Sequence, residues 1–70
     1  MNKYYVSFEE DSFSKNGLRL RNFYCEIIAE SIEDAEEIVQ ENYPDGWKTI
    51  YPEGNFNEDS FSMGKLKTLE

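Results

Sequence analysis

Fifteen Asp and Glu residues stand against seven Lys and Arg in this 70-residue chain, and there is no histidine. Histidine is the side chain whose ordinary pKa lies closest to neutral pH, and it is the usual base beside a Ser or Cys nucleophile. Acid–base work would therefore fall to neighbouring carboxylates, Glu9-Glu10-Asp11 or Glu58-Asp59. A carboxylate does such work only where a pocket perturbs its pKa, and so short a chain has few residues left to line one. The sequence argues against an enzyme. Asn55, Asn57 and Asp59 alternate as oxygen ligands do, but a calcium loop of the EF-hand type needs glycine at its sixth position and an acid at its twelfth. Counted from Asn55, those places hold Ser60 and Leu66, so the segment reads as a polar surface loop. Zinc sites need His and Cys, and Cys25 is the only cysteine. Gly17, Gly46, Gly54 and Gly64 are dispersed and form no phosphate loop. No metal or cofactor is expected.

The informative chemistry is charge placement. From Asn22 through Trp47 there is no Lys or Arg, yet the stretch carries Glu26, Glu30, Glu33, Asp34, Glu36, Glu37, Glu41 and Asp45. A net charge of −8 repels phosphate backbones and anionic membranes, which disfavours direct nucleic-acid or membrane binding. No apolar run reaches the roughly 18 residues of a membrane span, and the first residues, Met1-Asn2-Lys3-Tyr4, start a strand pattern and not a signal peptide. The expectation is a soluble, cytoplasmic protein, with Cys25 a buried thiol among apolar neighbours.

These residues are positioned by a short list of elements within one domain, 1–70, with Leu69-Glu70 allowed for as a vector-derived tail. Residues 4–8 alternate, with Tyr4, Val6 and Phe8 on one face. Residues 23–29 do the same with Phe23, Cys25, Ile27 and Ala29. Asn16-Gly17 between them is a type I′ hairpin signal, and a two-residue loop there sets Phe8 opposite Cys25, Val6 opposite Ile27 and Tyr4 opposite Ala29. A change of parity near the tip predicts a bulge or break around Asn22 or Glu9–Asp11. Ser31 with an acid three residues on marks a helix start. Ile32, Ala35, Ile38, Val39 and Tyr43 form its apolar stripe, and Pro44-Asp45-Gly46 stops it. Trp47–Tyr51 reads as a third strand, and Phe56–Leu69 as a fourth with a kink at Gly64. The sum is an α+β fold, β-β-α-β-β: a mixed or antiparallel sheet of about four strands with one helix packed on one face.

On that helix Glu33, Glu37 and Glu41 recur at i, i+4, stacking about 6 Å apart on the face opposite the apolar stripe, with Glu36 beside them. Such a ridge either keeps a small protein soluble or imitates the phosphates of a nucleic-acid strand and occupies a basic groove. A second surface is the hairpin tip, where Phe13, Leu18 and Leu20 would project beside Lys15, Arg19 and Arg21. These can dock on the acidic helix of a second copy, giving a homodimer or larger oligomer. Tyr5 and Tyr24, on the sheet face away from the helix, are expected to lie uncovered and form a further contact seam.

The Tyr4–Phe8 strand, the hairpin and the junction Ala29–Val39 resemble the small single-domain proteins of phage and prophage accessory regions. The resemblance covers about half the chain. It implies a non-enzymatic protein that binds a host protein, several such inhibitors being acidic nucleic-acid mimics. The favoured reading is thus an acidic protein-binding module whose partner is a nucleic-acid-binding protein, and the competing one is a self-associating accessory protein.

Overall fold

Alternating apolar residues build the two central strands, β1 (Asn2–Phe8) and β2 (Phe23–Ala29). Then come a helix, α1 (Ile32–Asn42), β3 (Trp47–Pro52), two single 3-10 turns at Glu53–Asn55 and Glu58–Ser60, and β4 (Gly64–Leu69). The computed structural model describes residues 1–70 and shows the expected α+β architecture with a mixed sheet of order β3-β1-β2-β4. β1 runs antiparallel to β2 and to β3, while β4 runs parallel to β2. Three strands therefore share one direction and β1 alone opposes them.

That arrangement needs two crossovers. Parallel strands cannot be joined by a tight hairpin, so the connecting chain must pass over a face of the sheet. From β2 to β3 the crossing is α1. From β3 to β4 it is residues 53–63, on the other face. The fold is thus three layers, with the sheet in the middle.

The core lies between sheet and helix. Val6, Cys25 and Ile27 from the sheet, Ala35 and Val39 from α1, and Leu20 from the hairpin connection are wholly buried. Leu69 is buried with them and pairs with Ile27, so it belongs to the core. The Ser31 hydroxyl accepts from the Asp34 amide at 3.2 Å, capping the helix as its sequence signal indicates. At the other end Gln40 ties α1 to the turn: its side-chain amide donates to the Pro44 carbonyl and its oxygen accepts from the Trp47 indole, both at 3.0 Å.

Four expectations are corrected. The β1–β2 register sets Val6 opposite Cys25 and Tyr4 opposite Ile27, two residues from the alignment that the Asn16-Gly17 loop implies. The slip is even, so the apolar faces still coincide. Half of it arises in the tip, whose three-residue loop pairs Phe13 with Arg19, and the other half in the break between tip and strands. The Ser14 amide donates to the Leu18 carbonyl and the Gly17 amide to the Ser14 carbonyl, which leaves Lys15, Asn16 and Gly17 in the loop. Only Gly17 has positive φ there (84°), whereas type I′ requires two such residues. Between tip and strands the pairing breaks at the expected places, Glu9–Asp11 and Arg21–Asn22.

Second, Leu20 does not project from the tip, because this break turns it inward. Third, the fourth strand is shorter than read: it begins at Gly64, and Phe61 and Met63 precede it. Fourth, Tyr5 and Tyr24 are not uncovered. The crossing segment lays Phe56 and Phe61 over them, with Tyr5–Phe56 centroids 4.3 Å apart, Tyr24–Phe56 4.8 Å and Tyr24–Phe61 5.6 Å. Tyr51 joins this aromatic layer at 5.5 Å from Phe56.

Candidate protein-contact surface

The exposed side of α1 is set by the burial of the other. Ala35 and Val39 point into the core with Ile38 half-buried, and the 3.6-residue turn then directs Glu33, Glu36, Glu37 and Glu41 to solvent. Glu33, Glu36, Glu37 and Gln40 line one shallow groove of about 320 Å³. On the other flank Asp34, Glu37 and Glu41 line a second, with Ile28, Ala29 and Ile38 beneath. The structure thus brings the four ridge glutamates together on one helix.

None of them is paired. The two ion pairs of the protein are Lys3–Glu53 at 3.9 Å and Lys65–Glu26 at 3.8 Å, both away from α1. The positive end of the helix dipole favours Glu33 and Asp34 in the first turn. Glu41, in the last turn, meets the negative end, and no basic residue is there to offset it. The C-terminal end of the ridge is therefore kept against local electrostatics.

The second proposed surface divides. Lys15, Leu18 and Arg19 are exposed on the hairpin tip, where the Arg19 guanidinium lies 5.5 Å from the centroid of the Phe13 ring, whereas Arg21, also exposed, lies at the base of the connection and lines a groove with Glu10, Lys48, Tyr51 and Phe61. Tyr5 and Tyr24 are separate from it, on the aromatic layer. Tyr24 is 6% exposed and its hydroxyl donates to Glu58 Oε2 at 3.1 Å, so these two rings serve packing.

The carboxylates considered for catalysis are spread out. Glu9, Glu10 and Asp11 are exposed in the turn leaving β1. Glu58 holds Tyr24, and the Asn57 side chain accepts from the Asp59 amide to cap its own turn. No three Cys, Asp or Glu side chains converge to hold one metal ion, and no helix is long and apolar enough to cross a membrane.

The clearest perturbed ionisations are interior. Burial pushes the Cys25 thiol up, and burial pushes the Tyr43 hydroxyl to about 12, with the neighbouring Cys25 adding to the rise. The thiol donates to the Tyr43 hydroxyl oxygen at 4.0 Å. A thiol so placed is a packing group with little thiolate character. Sequence reasoning missed two features here, the Phe56–Phe61 cover and the groove over Ile28 and Ile38. The first was signalled by two phenylalanines within an otherwise polar segment.

By fold and surface, the chain is a small three-layer α+β domain with a single acidic helix. No protein-family model matches the chain, and neither a curated protein nor a solved structure does.

Proposed function

We propose that the chain is a non-enzymatic protein-binding module whose acidic ridge, Glu33, Glu36, Glu37 and Glu41, occupies a basic groove on a partner protein, of the kind that nucleic-acid-binding proteins present. One observation carries the reading. The ridge is unpaired along its whole length and extends into the helix C-terminal turn, where a carboxylate costs stability. Solubility alone needs negative charge somewhere on the surface, and Glu10, Asp11, Glu53 and Asp59 already supply it. Contact with a basic groove gives a reason for charge at this particular place.

The test is capture of partners from a lysate of the source organism or its host by the tagged chain, beside a Glu33→Lys/Glu36→Lys/Glu37→Lys variant. A nucleic-acid-binding protein retained by the parent, lost by the variant and displaced by added DNA or RNA supports the proposal, and its retention should weaken steeply with salt. Identical recovery by parent and variant assigns the ridge to solvation.

A further inference from the structure

The charge of this chain is segregated along the sequence and in space. Between Asp11 and Glu26 there is no acidic residue, and that stretch holds three of the seven basic ones, Lys15, Arg19 and Arg21. It forms the hairpin connection, at whose tip Phe13 and Leu18 are 48% and 43% exposed. The groove between α1 and the end of β2 is the complement. It is open, about 360 Å³ in volume, floored by Ile28 and Ile38 and rimmed by Glu30, Asp34, Glu37 and Glu41. Neither the tip cations nor the rim carboxylates take part in an ion pair within the chain.

Within one chain the two do not meet. The tip extends from the end of the sheet where β1 leaves and β2 enters, and Phe13, Ser14, Lys15 and Asn16 line a cleft with Asn42, Tyr43, Pro44 and Asp45 just beyond α1. The groove runs from Met1 and Glu30 at the opposite end to Glu41, and none of its carboxylates is paired with a tip cation.

We propose that the tip of one copy docks in this groove of a second copy. Leu18 and the aliphatic stem of Arg19 lie against Ile28 and Ile38, while Lys15 and Arg19 meet the rim carboxylates. The occupant is a second copy because the chain itself carries both halves of the match: a projection with basic and apolar side chains and no acidic one, and an apolar-floored recess whose carboxylates, Glu30, Asp34, Glu37, Glu41 and Glu70, outnumber its one cationic group, the Met1 amine. Exposed charge pairs are individually weak and screened by salt, so the association is salt-sensitive. The two patches differ, so the contact is heterologous. It closes into a reciprocal pair or a ring, or else propagates as an open chain.

Sedimentation velocity over a concentration series tests this with a tip variant, Leu18→Asp/Arg19→Glu, and a groove variant, Glu30→Lys/Glu41→Lys. The substituted side chains are exposed, and circular dichroism checks that both variants fold. The parent should associate at low salt and shift toward monomer at high salt, and each variant alone should associate at least tenfold more weakly. An equimolar mixture of the two should recover association, because their altered charges complement one another. A parent that stays monomeric overturns the proposal, as do variants that assemble like the parent or a mixture that fails to recover. The outcome is separable from the ridge reading through the tip variant, which alters no ridge residue: Leu18→Asp/Arg19→Glu should lose self-association yet still retain a partner held by the ridge.

Discussion

The rings of Tyr5 and Phe56 stack 4.3 Å apart and 10° from parallel, joining a central strand to a segment that is itself neither strand nor α-helix. Around this pair gather Tyr24, Tyr51 and Phe61, so the sheet has an aromatic layer on the face opposite α1. Aromatic pairs add roughly 0.5–1.5 kcal/mol beyond the area they bury. The crossing segment's turn hydrogen bonds are mostly internal, and it is held to the sheet by these rings together with the Tyr24–Glu58 hydrogen bond and the Met63 amide, which donates to the Asn22 carbonyl.

Phe56→Ala should therefore destabilise the protein by about 2 kcal/mol, less than the 3–5 typical of a fully buried Phe because Phe56 remains partly exposed. Urea denaturation reads the loss, and limited proteolysis should show new cleavage within 53–63. An unchanged denaturation midpoint would contradict the cover described above.

Gly46 has φ of +95°, and a Cβ placed there would lie 2.3 Å from Ser12 Oγ. Gly46→Ala should cost at least about 1 kcal/mol from backbone conformation alone, with steric overlap added. The Ser12 hydroxyl is buried without a hydrogen-bond partner, so Ser12→Ala should be neutral or stabilising, since nothing favourable is lost. Thermal unfolding of the two single variants decides both points.

Glu41→Lys should raise stability by about 0.3–1 kcal/mol, because a cation replaces a carboxylate in the last turn of α1 and the repulsion with Glu37 is removed. The gain should shrink with added salt. A thermal midpoint that falls instead would remove the argument that the C-terminal end of the ridge is held against local electrostatics.

The part-buried Cys25–Tyr43 contact contributes to the loss of stability at alkaline pH. Both groups have folded-state pKa values above their ordinary ones, the tyrosine moving from 10.0 to about 12. The neutral forms are favoured in the fold, so their contribution is complete below the unfolded pKa and is lost as pH rises through the folded one. For Tyr43 that window runs from about 10 to 12. Urea midpoints for Tyr43→Phe should fall less than those of the parent across it, while the two should lie close together near neutral pH. Parallel curves would place the alkaline loss elsewhere.

The helix was readable from residues close in sequence: a Ser31 cap, a stripe at threes and fours, a proline stop. So were the first two strands, from alternation, and the third, from its aromatic and β-branched residues. What was not readable depended on contacts distant along the chain. The register of β1 on β2 depended both on the hydrogen bonds of Ser14 with Gly17 and Leu18 and on a further one-residue shift in the break at Glu9–Asp11 and Arg21–Asn22. Phe56 and Phe61 read as the start of a strand because their partners, Tyr5 and Tyr24, lie more than thirty positions earlier. The same distance made those tyrosines look open. The acidic ridge was legible, since helical spacing alone gathers it, whereas the groove over Ile28 and Ile38 required knowing how α1 lies against β2.

The order β3-β1-β2-β4 also fixes a sequence of events. Of the neighbouring strand pairs only β1 with β2 is joined by a short local connection. β3 must return across the helix layer to the far side of β1, and β4 must traverse the aromatic layer to reach β2. As the chain leaves a ribosome, the hairpin can form while the rest is still unmade, but β2 keeps an unpaired edge until β4, the last strand, emerges. A product that ends before Gly64 would carry that open edge permanently, together with a core lacking Leu69, and would be the species most prone to pair with its neighbours.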